Sequence, residues 1–111
     1  MLLDATGHTP KVPPELVGTW NYETMSPLKD GKPFGAVHFQ PGQWTVTFNQ
    51  DSAWTMKAPL RTMNGSYSVH GHELEMKMAD GNPYYTYRFT IEQDGKVLVL
   101  NKETIIIANR E

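Results

Sequence analysis

Leu16-Val17-Gly18-Thr19-Trp20-Asn21-Tyr22-Glu23 is the stretch whose reading decides the fold. Alternate residues of a strand share a face, so Gly18, Trp20 and Tyr22 fall on one side of the pleat. The strand is expected over residues 16–24, with Trp20 plugging one end of a closed barrel. Before it, residues 1–15 read as a tether. Pro10, Pro13 and Pro14 lack backbone donors and fix their φ angles, which opposes regular pairing. Pro14-Glu15-Leu16 is short enough for one helical turn that would close the barrel end.

Outward from this strand the chain is a succession of short strands and turns. Residues 25–35 hold Pro27, Asp30-Gly31 and Pro33 and read as the longest loop, a candidate lid over an open mouth. Residues 36–40 and 43–48 flank Pro41-Gly42 as a hairpin. Residues 53–57 alternate again, and 58–64, with Pro59, read as a connection or barrel corner. Residues 65–69 and 72–78 flank a tight turn at His70-Gly71. The longest strand is 84–92. Gln93-Asp94-Gly95 turns it into 96–101, and 104–110 is the last. No segment has helical periodicity over ten or more residues. About 8–9 short antiparallel strands imply a sandwich or an up-and-down barrel. Short connections favour meander topology, and a barrel leaves no exposed edge. The expected fold is therefore all-β, an antiparallel up-and-down β-barrel with meander topology, formed by residues 16–111.

Alternation assigns the faces. Trp20, Tyr22, Val37, Phe39, Trp44, Val46 and Phe48 point inward in the first half of the chain. Trp54, Met56, Tyr67, Val69, Leu74, Met76 and Met78 follow. Tyr85, Tyr87, Phe89, Ile91, Leu98 and Leu100 complete the set. Lys57, Ser66, Glu73, Glu75, Lys77, Arg88 and Glu92 are among those facing out. Ile105-Ile106-Ile107 run together, so the pattern chooses no face there. The interior is thus rich in Trp, Tyr and Met. Buried Trp and Tyr need a partner for their polar tips, and Met fills irregular space. An eight-stranded barrel is just wide enough to be filled or to hold one small ligand, and the pattern leaves both open.

The 111 residues suit one domain. A net charge of −2 and the absence of a basic block argue against nucleic acid. There is no cysteine, hence no disulfide or thiolate chemistry. No run approaches the roughly 18 apolar residues of a membrane helix. The first fifteen residues lack the basic start and apolar core of a signal peptide, so a cytoplasmic location is expected. His70 and His72 are two residues apart without an evident third ligand, so no metal site is expected. Asn64-Gly65-Ser66 fits a glycosylation acceptor, but reads better as turn chemistry. No nucleophile elbow, phosphate loop or dinucleotide fingerprint is present, and no cofactor is expected.

Taken together, Gly18-Thr19-Trp20 after Leu16-Val17, the hairpin from Val37 to Trp44, the run Gly65-Ser66-Tyr67-Ser68-Val69-His70-Gly71-His72-Glu73-Leu74, and Asp94-Gly95 before Leu98 and Leu100 resemble the lipocalin-like domain of the calycin superfamily, in its small bacterial type. The resemblance spans residues 16–110. It implies that Arg110, on the last strand, covers the Trp20 ring. The chain lacks the C-terminal helix and disulfide of vertebrate lipocalins. It also lacks the helical pair of fatty-acid-binding proteins, so their ligands do not transfer. The expected function is binding of a small apolar or aromatic molecule inside the barrel. The residues expected around it are Phe39, Trp44, Trp54, Met56, Tyr67, Met76, Tyr85 and Tyr87. The alternative, by architectural analogy, is a cofactor-free cyclase or isomerase of a natural-product pathway, with Tyr85, Tyr87 or Tyr67 as hydrogen-bond donor to a carbonyl. A filled interaction domain, monomeric or a homodimer through an outward Thr-rich face, is the third reading.

Overall fold

A computed structural model of the chain describes residues 12–111. Ten strands occur in it: β1 (Gly18–Lys29), β2 (Lys32–Pro33), β3 (Val37–His38), β4 (Thr45–Phe48), β5 (Ala53–Ala58), β6 (Arg61–His70), β7 (Glu73–Met78), β8 (Pro83–Glu92), β9 (Val97–Asn101) and β10 (Thr104–Arg110). Neighbours from β4 to β10 pair antiparallel in sequence order, and β1 pairs with both β4 and β10. This closes an eight-stranded up-and-down barrel, with β2 and β3 as short additions on β1. No helix among the described residues is long and apolar enough to cross a membrane.

Closure rests on β1. Trp20 lies opposite Val46 on one side and Arg110 on the other. The ring is fully buried, and its indole N–H donates to the Leu16 carbonyl at 2.9 Å. The Arg110 guanidinium sits 4.2 Å from the ring centroid, within cation–π range. It also donates to the carbonyls of Gly95, Val17 and Glu15. Gly18 is required for this. Its φ is +134°, and a Cβ there would come 2.6 Å from the Arg110 Nη1. Residues 14–16 form a turn, closed by Leu16 N–H on the Pro13 carbonyl at 3.0 Å, that drops Leu16 fully into the core. The tether expected over residues 1–15 lies, up to residue 11, outside the described residues.

Alternation placed most of the core. Trp54, Met56, Leu74, Met76, Leu98 and Leu100 are all buried. The triple isoleucine resolves to Ile106 and Ala108 facing in.

Several expectations are corrected. Residues 25–35 are not a lid loop: β1 continues to Lys29 and turns at Asp30-Gly31 into β2, because β10 offers pairing partners as far as Pro27. The Pro41-Gly42 hairpin is absent. β3 and β4 both pair with β1, at Thr24–Met25 and Gly18–Asn21, so they are two pieces of one interrupted strand. The excursion between them is held by Gly42 N–H on Asn21 Oδ1 at 3.0 Å and Gln40 N–H on Gln43 Oε1 at 2.9 Å. Val37, expected inward, is exposed, since β3 lies beyond the rim. Residues 58–64 are the β5–β6 hairpin rather than a corner. The turn after β6 is at residues 71–72, one position later than read. Asn64-Gly65-Ser66 is not a turn. Gly65 is mid-strand, where a Cβ would meet the Lys77 carbonyl oxygen at 1.8 Å and the Trp54 indole nitrogen at 2.9 Å.

Candidate ligand cavity at the barrel mouth

Antiparallel strands alternate in direction, so the second half of β1 meets the starts of β4, β8 and β10 and the end of β5 at one end of the barrel. Of these, β1, β5, β8 and β10 contribute side chains there. β1 supplies Tyr22 and Met25, β5 supplies Met56, and β10 supplies Ile106. Trp44 enters from the excursion before β4. Together they enclose a cavity of about 190 Å³. β8 adds Tyr84, Tyr85 and Tyr87, and the β9–β10 turn and the start of β10 put Lys102, Glu103 and Thr104 on the rim. A wider depression of about 490 Å³ lies over Trp54 and Gly65, but it is shallower and walled largely by small and polar residues such as Thr55, Asn64 and Ser66.

The aromatic wall consists of two groups of packed rings. Tyr22 and Trp44 stack at 5.9 Å and 7°, and Phe39 packs behind Trp44 at 5.5 Å. Tyr85 stacks on Tyr87 at 5.2 Å and 20°, with Tyr84 edge-on to Tyr85 at 5.2 Å. The Lys102 ammonium lies 5.7 Å from the Tyr85 ring centroid.

Burial is the main electrostatic force on these phenols. It pushes Tyr22 well above the ordinary value, with Tyr87 and Tyr84 adding to it. Tyr87 is raised by burial and then by Tyr84 and Tyr85. Tyr84 is raised by burial and Tyr85, partly offset by the Arg61 cation. These groups therefore stay protonated at neutral pH and act as hydrogen-bond donors rather than bases. Among the described residues Glu103 is the one carboxylate on the lining, and it is exposed. No cluster among the described residues could hold a metal ion. His70 and His72 lie at the opposite end, beside the β6–β7 turn.

Of the residues expected around a ligand, Trp44, Met56, Tyr85 and Tyr87 line this cavity. Phe39, Trp54, Tyr67 and Met76 do not. Phe39 stands behind Trp44. Trp54 is fully buried, packs on Tyr84 at 5.2 Å and donates its indole N–H to the Lys77 carbonyl at 2.9 Å. Met76 is sealed in the core. Tyr67 points toward the closed end, where its hydroxyl donates to the Asn49 carbonyl at 2.6 Å; burial, with Asp51 nearby, pushes it up to about 12. Tyr85, expected inward, is 46% exposed because it sits on the rim.

Sequence reasoning did not assign Tyr84, Met25 or Ile106 to the site, and kept Tyr22 to the core. Tyr84 has outward parity, but β8 carries a bulge. Met76 faces Tyr85 while Lys77 faces Pro83, which leaves Tyr84 extra and turned inward. Met25 was hidden by the loop reading and Ile106 by the isoleucine run.

The lipocalin-like domain family matches residues 16–100. Among solved structures, a lipocalin-like protein from Bacteroides uniformis is similar at a TM-score of 0.65 and 20% identity, over 87% of this chain and 99% of that one. A protein of the DUF4847 family from Bacteroides vulgatus is similar at a TM-score of 0.59 and 14% identity, over 88% and 95% of the two chains. At these identities the likeness concerns the fold. No curated protein matches the sequence.

Proposed function

The chain belongs to the lipocalin-like domain family, and on that footing we propose that it binds one small apolar or aromatic molecule at the barrel mouth. The observation that carries this is the cavity of about 190 Å³ walled by Tyr22, Trp44, Met56, Tyr84, Tyr87 and Ile106. Pockets of mostly aromatic and apolar wall with a few polar groups are the common form of small-molecule sites. A dry cavity of about 150 Å³ accepts benzene, so this volume suits a one- or two-ring molecule. Flexible Met25 and Met56 let the wall adapt to the ligand's outline.

A panel of one- and two-ring aromatics titrated against tryptophan emission tests the reading. Several members are expected to quench Trp44 emission and raise the melting temperature. Thr104→Trp, which places a large ring at the rim, is expected to abolish both effects while the protein stays folded. A panel with no quenching and no thermal shift would overturn the reading.

A further inference from the structure

Charge is sorted along the barrel axis. Four turns meet at the mouth: β1–β2, β5–β6, β7–β8 and β9–β10. Among the described residues, these turns and the two strand residues on either side carry Lys29, Lys32, Lys57, Arg61, Lys77 and Lys102 against only Asp30, Asp80 and Glu103. At the closed end the balance is reversed. There, by the same measure, Glu15, Asp51, Glu73, Glu92, Asp94 and Glu111 stand against Lys96 and Arg110, and Arg110 is already committed to Trp20. The chain has a net charge of −2, yet its mouth is positive. A field of one sign over one end selects a partner of the opposite sign.

The same end carries the apolar side chains that stand in water. Leu60, 97% exposed, tips the β5–β6 hairpin after Pro59, between Lys57 and Arg61. Phe34, 63% exposed, follows β2, and the Lys29 ammonium lies 5.2 Å from its ring centroid. Strand order sets β9–β10 and β5–β6 on either side of β1–β2, with Asp80 of β7–β8 opposite. The apolar tips thus sit on separate turns, each among cations, and form no continuous apolar face. A stable protein interface needs a packed patch of roughly 800 Å² a side. A lipid interface asks for less: separate apolar tips enter below the headgroups while Lys and Arg keep their charges at headgroup level. Anionic lipid attracts such basic side chains. Half-exposed Tyr85 on the rim has the amphipathic ring that sits at that depth.

We infer that the mouth end docks on an anionic lipid bilayer, with Leu60 and Phe34 entering the interface and Lys29, Lys32, Lys57 and Arg61 held against the charged headgroups. Contact of this kind lies on the surface and needs no spanning segment. Docking goes beyond the binding function proposed above and does not depend on it. Where both hold, the cavity opens onto the lipid, and an apolar ligand passes between the two without crossing water.

The test sediments the full chain with vesicles of phosphatidylcholine alone and of phosphatidylcholine mixed with phosphatidylglycerol. The protein is expected to pellet with the mixed vesicles and to stay in solution with phosphatidylcholine alone. Raising the salt from about 0.05 M to about 0.5 M should weaken the binding by about tenfold, because the Debye length contracts. Leu60→Ser should weaken it by about tenfold, and Lys57→Ser and Arg61→Ser by about fivefold each. These side chains are exposed, so the melting temperature should hold. Glu92→Ser, at the closed end, should leave binding unchanged. Equal binding to both vesicle types, no binding to the mixed vesicles, or binding that survives Leu60→Ser together with Arg61→Ser would overturn the inference. So would a dimer in vesicle-free sedimentation equilibrium that Leu60→Ser dissolves, since the tips would then belong to a second copy. Each of these failures leaves the aromatic titration above to decide the cavity.

Discussion

At the closed end of the barrel, large polar side chains enter the core with their partners already supplied. The Trp20 indole has the Leu16 carbonyl, the Tyr67 hydroxyl has that of Asn49, and the Arg110 fork spans the carbonyls of Gly95, Val17 and Glu15. At the mouth, residues of the same types are left short. Among the described residues, Trp44 has no acceptor and Tyr84 has only a sulfur, while Tyr85 is half in solvent. Among the described residues, the other large apolar side chains in solvent are at this end too: Phe34 and Val37 beyond β2, and Leu60 at the tip of the β5–β6 hairpin. One end holds the barrel shut at its own expense. The other keeps unsatisfied groups and open volume, as expected where part of the interaction energy is left for a ligand.

The largest effect that could break this contrast is at Trp20. Trp20→Ala is expected to cost about 3–5 kcal/mol in urea unfolding, the usual range for a large buried aromatic. A loss below about 1 kcal/mol would mean that the closed end does not hold the barrel. Arg110→Ala comes next, at about 2–3 kcal/mol, because it removes a cation–π contact over the buried Trp20 ring and leaves the part-buried Gly95 and Val17 carbonyls without donors. Arg110→Lys should recover less than half of that, since an ammonium cannot reproduce the planar fork. Full recovery by lysine would show that charge alone matters there.

Much of this contrast was legible in the sequence at the closed end and little at the mouth. The Gly18-x-Trp20 pair follows regular pleat parity, which a sequence displays, whereas the placement of Arg110 over Trp20 is what the resemblance to the lipocalin-like family implies. The mouth departs from parity at each place that matters. Tyr84 turns in through a bulge, Trp44 sits on an excursion that interrupts a strand, and Met25 lies where proline and glycine suggested a loop. Pro27 is tolerated within β1, where it lies opposite Thr104 near the end of the pairing with β10. Whether a buried donor finds an acceptor depends on backbone positions far away in sequence. Residue 77 serves Trp54 in this way, and no local pattern announces it.

Alkaline pH probes both ends at once, with a smaller effect. The folded-state pKa of Tyr67 is about 12, and burial also raises those of Tyr22, Tyr84 and Tyr87. An unfolded tyrosine titrates near 10. A raised folded value favours the protonated phenol, so this contribution is fully present below about pH 10 and is lost as the pH rises through the folded values. The urea midpoint is expected to hold to about pH 9 and to fall by about pH 11. Tyr67→Phe should remove part of that fall. A midpoint unchanged over this range would show that these phenols are not shielded from water.

The smallest effect discriminates best between the two ends. Trp→Phe at each of the three positions removes the indole N–H and similar ring area. In Trp20→Phe and Trp54→Phe the Leu16 and Lys77 carbonyls lose their donor, which adds about 1–3 kcal/mol to the area lost. In Trp44→Phe the deleted donor has no partner among the described residues, so relief of that penalty offsets the lost area, and the net change is expected within about 0.5 kcal/mol of zero. Trp44→Phe costing as much as the other two would mean that its indole is already paired in the free protein. The mouth would then be as self-satisfied as the base.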